Sequence, residues 1–188
     1  MNVPNRLTVA RMIIAPVFLL VYMLDSLPFN SVIALAIFII ASITDAVDGH
    51  LARKNNQVTV FGKLADPVAD KMLTTAALLA FMDSNICSVW IVMIILTREF
   101  AVTSCRLVAS AQGIVIAANI FGKIKTVSQM VFSVVIMLFV ILLDASVLPE
   151  SFPLATVSNV LLGITCVLAV ISGIIYIKET AKKINIDV

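Results

Sequence analysis

Six apolar runs divide this 188-residue chain, and several approach or exceed the roughly 18–20 residues that a helix needs to cross a bilayer. They cover Leu7–Leu24, Ser31 to about Asp48, Pro67–Met82, Ile86–Val108, Thr126–Leu143 and Leu154–Ile177. In hydrocarbon every backbone N–H and C=O must be paired within the protein, so runs of this kind fold as helices. Composition agrees: 61% of the residues are hydrophobic and 13% charged, where soluble domains carry about 25% charged. The expected architecture is an all-α integral membrane protein. It has six transmembrane helices in a single domain spanning residues 1–188, preceded by a short N-terminal interfacial helix. That helix is the opening "NVPNRLTVAR", in which Pro4 suits a first turn and Arg6 and Arg11 can reach lipid headgroups. No small-residue cleavage site follows it, so it is not read as a signal peptide.

Charge sets the orientation. One set of connections holds Asp25, Asp83, Asp144 and Glu150 and no Lys or Arg, whereas every basic residue falls at the other face or leans toward it. The basic side is the cytoplasmic one, which puts both termini there. The formal net charge of +2 hides this asymmetry. Cys87, Cys105 and Cys166 are scattered without metal or disulfide spacing and read as packing residues. His50 has no Cys or His neighbour at zinc-ligand spacing, and there is no nucleic-acid signature.

The chemistry concentrates in "DAVDGHLARKNNQVTVFGKLADPVAD", residues 45–70. Asp45 and Asp48 are three apart at the end of the second run, and Asp66 and Asp70 are four apart at the start of the third. Each pair therefore shares a helix face. The short polar link between them makes the two helices antiparallel neighbours with their carboxylates at one depth. Four such groups at the edge of a low-dielectric slab raise one another's pKa unless cations neutralise them. An all-oxygen donor set favours hard divalent ions such as Mg²⁺ or Mn²⁺, which commonly complete their shell with substrate phosphates. Asp66 alone also suits a helix cap beside Pro67, but capping does not account for two in-phase pairs. Gly49, Ala52 and Gly62 remove bulk around the acids, as they would equally for helix packing. Arg53 offers a bidentate guanidinium suited to a diphosphate, or an interfacial anchor.

The stretch matches D-x2-D-G-x2-A-R-x8-G-x3-D-x3-D, with Asp45, Asp48, Gly49, Ala52, Arg53, Gly62, Asp66 and Asp70 in its eight fixed positions. In this it resembles the CDP-alcohol phosphotransferase family, whose six-span topology also fits. The resemblance implies transfer of a phosphoalkyl group from a CDP-linked donor to an alcohol with release of CMP. It implies that Asp45, Asp48 and Asp66 hold two divalent cations, Mg²⁺ or Mn²⁺, and that Asp70 assists them and serves as general base. Gly49, Ala52, Arg53 and Gly62 would then surround the CDP-lipid donor, and the assembly would be a homodimer.

Beyond the signature, "LTREFAVTSCRLVA" contains Arg98 and Arg106, and "GKIKT" contains Lys123 and Lys125. A buried Arg needs an anion, and Glu99, adjacent in sequence, is expected to point elsewhere on the helix. Four cations near the acid cluster suggest a pocket for an acceptor that itself carries phosphate. Membrane-surface anchoring and an ion pair with a neighbouring helix are the plainer uses of these residues. With "PNRLTVAR", these blocks look like the phosphatidylglycerophosphate synthase branch of the family. That likeness implies CDP-diacylglycerol as donor and sn-glycerol 3-phosphate as acceptor, in the cell membrane with the active site on the cytoplasmic side. Asn5, Thr8 and Arg11 would sit near the donor. Cardiolipin synthase, or a phosphatidylinositol-phosphate or phosphatidylserine synthase, is the alternative within the family. A divalent-cation transporter is the alternative outside it, disfavoured because the acids lie at one face rather than at mid-membrane.

Overall fold

The computed structural model describes the backbone of residues 3–54, 60–114 and 120–183, and the side chains of residues 8–44, 68–69, 71–114 and 120–183. Six helices follow one another: α1 (Val3–Met23), α2 (Asn30–Lys54), α3 (Val60–Asp83), α4 (Val89–Ala111), α5 (Ile120–Asp144) and α6 (Leu154–Ala181). There is no strand among the described residues. Each apolar run lies within one helix, except that the first ends one residue past α1 and the fourth begins in the turn before α4. The expected interfacial helix is not a separate element, because α1 continues without a break from Val3 to Met23 through Pro16. No proline or glycine falls between Asn5 and Ala15, so the helix runs on from the polar start into the apolar body, and the first missing ladder bond is the one Pro16 cannot donate to Met12.

Among the described residues, α5 and α6 are long and apolar enough to cross a membrane, and Thr8–Met23 and Asn30–Thr44 are shorter apolar helices. Helix α4 is broken as an apolar run by Arg98, Glu99 and Arg106.

Helix α1 packs against α2 and α3, while α6 packs against α4 and α5. The two halves meet where α2 touches α5 and where α3 touches α4 and α5. Alanines allow the α1–α3 approach: Ala15, Ala76, Ala77 and Ala80 are all buried, and small side chains bring helix backbones close enough for dense van der Waals contact. An aromatic chain links the first three helices, with Phe18 5.7 Å from Phe38 and Tyr22 6.1 Å from Phe81 between ring centroids. The inner face of α6 is a row of small and hydroxylated residues, Ser158, Thr165, Ala169, Ser172 and Gly173, all buried.

Side chains close one end of the bundle. The Asn30 amide donates to the Tyr22 carbonyl at 3.2 Å, satisfying an orphan acceptor at the end of α1. Ser31 donates its hydroxyl to Asp144 at 2.7 Å, joining the start of α2 to the end of α5. The Ser88 N–H donates to Asn159 at 2.8 Å, joining the start of α4 to α6. At the opposite end Gly113, with φ of 71°, terminates α4, and the Ile114 N–H reaches back to Ala109. A left-handed residue just past a helix is the usual place for glycine.

Candidate functional site

A cavity of about 680 Å³ opens at the end of the bundle where α4 terminates and α5 begins. Lys71 and Thr74 of α3 line it, together with Arg98, Glu99, Val102 and Arg106 of α4, residues 122–127 and Gln129 of α5 except Ile124, and Tyr176 of α6. Arg98, Val102 and Arg106 follow one another at four-residue steps, so one face of α4 supplies both arginines. Thr74 lies one helical turn beyond Asp70, which sets the cavity against the same helix that carries the second half of the acid signature. Among the described residues, five cations line it against one carboxylate, a net of +4.

The four cations expected to form a phosphate pocket, Arg98, Arg106, Lys123 and Lys125, thus do line a single cavity, and Lys71 joins them. They are not equivalent. Arg106 and Lys123 are exposed, and the Arg106 guanidinium lies 6.0 Å from the centre of the Tyr176 ring. Lys125 is 2% exposed and sits 2.6 Å from Glu99 Oε1. Arg98 Nη1 lies 2.9 Å from the same oxygen, and Arg98 Nη2 donates to Ser172 at 2.9 Å.

The expectation that Glu99 turns away from Arg98 is therefore wrong. Adjacent helical positions diverge at Cβ, but both side chains are long enough to curl together in the space that α3, α5 and α6 leave beside α4. Gly173 provides part of that space, since a Cβ there would meet Arg98 Cγ at 3.0 Å. Lys71 completes the cluster, with Nζ 3.2 Å from Glu99 Oε2 and 3.0 Å from the Glu99 carbonyl, and with a further bond to Thr103. Thr103 in turn donates to the Glu99 carbonyl at 2.7 Å. Glu99 was legible only as an intramembrane acid; its role as a hub was not. Ser172, Gly173 and Tyr176 carried no signal, because small residues and one Tyr on an apolar helix look like packing.

On the far side of Lys71 and Glu99, an apolar groove of about 340 Å³ runs between α1, α3 and α4, past Ala15, Leu19, Met72 and Leu96. A polar cavity and an apolar groove thus share one wall.

The side chains of Asp45, Asp48, Gly49, Ala52, Arg53, Gly62, Asp66, Asp70 and Asn5 lie outside the described residues. Their backbones are helical: α2 extends through Asp45, Asp48 and Arg53, and α3 extends through Asp66 and Asp70. The acid pairs thus lie on helical backbone at three- and four-residue spacing, and four carboxylates are the donor chemistry that hard divalent cations take. Among the described residues, α2 and α3 touch only lightly and each packs chiefly on α1. No group of three or more metal-ligating side chains occurs among the described residues. Thr8 is buried and Arg11 half-buried on α1, and neither lines the cation cavity. The three cysteines are free thiols.

Residues 1–174 match the CDP-alcohol phosphatidyltransferase family. The chain belongs to that family. It is accordingly a transferase. A Bacillus subtilis protein named CDP-diacylglycerol–glycerol-3-phosphate 3-phosphatidyltransferase is 43% identical over 69% of this chain and 73% of its own length. A Mycobacterium tuberculosis protein named probable phosphatidylglycerophosphate synthase is 38% identical over 98% of this chain and 84% of its own. A Rickettsia bellii protein with the same name as the Bacillus one is 33% identical over 96% of both chains.

Proposed function

We propose that this phosphatidyltransferase uses CDP-diacylglycerol and sn-glycerol 3-phosphate and releases phosphatidylglycerophosphate and CMP. The observation that carries this reading is the cation cavity: a net charge of +4 among its described residues, beginning at Lys71, the residue after Asp70. A neutral acceptor would have no use for it, and the names of the relatives point the same way. The shared wall with an apolar groove supports a reaction between one water-soluble and one lipid substrate.

In this reading Asp45, Asp48, Asp66 and Asp70 hold two divalent cations, Mg²⁺ or Mn²⁺. When bound, these ions supply charge neutralisation on the donor diphosphate. Arg53 adds a guanidinium to the same diphosphate, and Gly49, Ala52 and Gly62 leave room for the nucleotide. Asn5, Thr8 and Arg11 are placed near the donor by the family resemblance alone. The cavity holds the acceptor's phosphate and directs its primary hydroxyl toward α3. Asp70 takes the proton as the hydroxyl oxygen bonds to the lipid-bearing phosphorus and the bond from that phosphorus to CMP breaks. Positioning and charge compensation supply most of the acceleration in such transfers.

All six helices are read as membrane spans, with both termini and the cavity at the cytoplasmic face. The placement of every Lys and Arg supports this. The six spans form one domain, and homodimeric assembly follows from the resemblance. The test is CMP release by the purified protein with CDP-diacylglycerol and a divalent ion, across a panel of acceptors. Release with glycerol 3-phosphate is expected. Release with phosphatidylglycerol but not with glycerol 3-phosphate would overturn the assignment in favour of a cardiolipin synthase.

A further inference from the structure

The five cations of the cavity form an inner and an outer group. Lys71 donates to the Glu99 carbonyl and to Thr103, and its ammonium lies 3.2 Å from the Glu99 carboxylate. Lys125 and Arg98 share Glu99 Oε1, and Arg98 reaches Ser172 with its other terminal nitrogen. One carboxylate, 14% exposed, is therefore the common partner of three cations from α3, α4 and α5. Arg106 and Lys123 form the outer group, exposed to water at the mouth.

Without Glu99, the inner three would be the strongest anion site of the cavity, and one of them, Lys71, follows Asp70 directly in the chain. A phosphate seated there would bind tightly and wrongly, with its own charge rather than a hydroxyl turned toward the acid signature. Tight binding of that kind is wasted unless the transition state shares it. Specificity often rests on such a built-in obstacle to the wrong pose.

Building on the acceptor assignment above, we infer that Glu99 is an internal counter-ion that excludes the acceptor's phosphate from the inner cations. The phosphate is thereby left to Arg106 and Lys123, with the hydroxyl end nearer Asp70. Glu99 is on this account a positioning residue; it does not touch the reacting atoms.

The direct readout is binding of inorganic phosphate to the detergent-solubilised full chain without donor or added metal. E99Q should bind phosphate at least about tenfold more tightly than the wild type, because three closely spaced cations lose the carboxylate they share among the described residues. In turnover with glycerol 3-phosphate, E99Q should show a lower acceptor KM and a lower kcat. E99D, which keeps the charge, should stay within about threefold of the wild type in phosphate affinity, about 0.7 kcal/mol. A merely structural role would lower activity without tightening phosphate, and unchanged or weaker binding in E99Q overturns the inference.

If E99Q does not accumulate folded, Arg106→Gln and Lys125→Met decide the matter. Arg106→Gln should weaken phosphate about tenfold and Lys125→Met by no more than about threefold; the reverse order overturns the inference. A wild type that releases no CMP from glycerol 3-phosphate would count against the acceptor assignment alone, since phosphate binding still reads the part played by Glu99.

Discussion

Replacing Lys125 by methionine should cost less stability than replacing Glu99 by glutamine, although the two side chains are partners. Lys125 contributes one of three cations around the carboxylate, at 2.6 Å, while Arg98 at 2.9 Å and Lys71 at 3.2 Å remain when it is gone. The loss is one charge-assisted hydrogen bond, about 1.5–3 kcal/mol. It is offset in part because a buried ammonium no longer has to be desolvated and methionine fills nearly the same volume. A net of about 1–2 kcal/mol follows.

Glu99→Gln instead leaves three cations around a neutral amide, one of them 2% exposed. Stripping one side of a buried ion pair costs about 3–5 kcal/mol. At about 2–4 °C per kcal/mol for a chain of this size, the melting temperature should fall by about 2–8 °C for Lys125→Met and about 6–20 °C for Glu99→Gln. Thermal loss of helical circular dichroism in detergent measures both. The double variant should melt above Glu99→Gln alone, because it removes one of the uncompensated charges. If Lys125→Met melts below Glu99→Gln, or the double variant is the least stable of the three, the hub does not work as described.

Asp70→Asn should keep the wild-type helix content and lose about 10²–10⁴ in turnover, the usual contribution of a general base; a near-full rate would remove that role. Ser31→Ala loses the 2.7 Å bond to Asp144, so stability should drop by about 1.5–3 kcal/mol, with both substrate KM values unchanged because that bond closes the opposite end of the bundle. Two glycines of α6 should respond with opposite sign. Gly163→Ala meets nothing within 4 Å and should stabilise the helix by up to about 1 kcal/mol. At Gly173 the added carbon meets Arg98 Cγ at 3.0 Å, and Arg98 is pinned at both ends, so overpacking of about 1–3 kcal/mol should outweigh the gain in helix propensity. Equal melting shifts for the two would refute the crowding argument.

The placement of the elements was legible in the sequence because hydropathy and helical period act locally. Each apolar run became a helix or most of one. The acid pairs sit on continuous helix because three- and four-residue spacing means the same thing wherever the helix lies. Two readings failed for complementary reasons. The opening segment looked interfacial from its polar composition, but its backbone simply continues into α1. Glu99 looked misdirected because Cβ vectors diverge at adjacent positions, while the direction of a long side chain is chosen by what surrounds its tip.

From its residues alone the chain determined that it is helical and membrane-suited, that two pairs of aspartates are each spaced to share a helix face, and that cations follow them along the chain. These follow from local spacing and from charge counted along the chain. Only the tertiary structure decided that Lys71, Arg98 and Lys125 share one carboxylate while Arg106 and Lys123 face water. That division depends on which surfaces of four helices meet, and on a glycine and a serine in α6 that leave Arg98 room and a partner. Contacts between residues as far apart in sequence as Arg98 and Ser172 leave no periodic trace, so no reading of spacing could have supplied them.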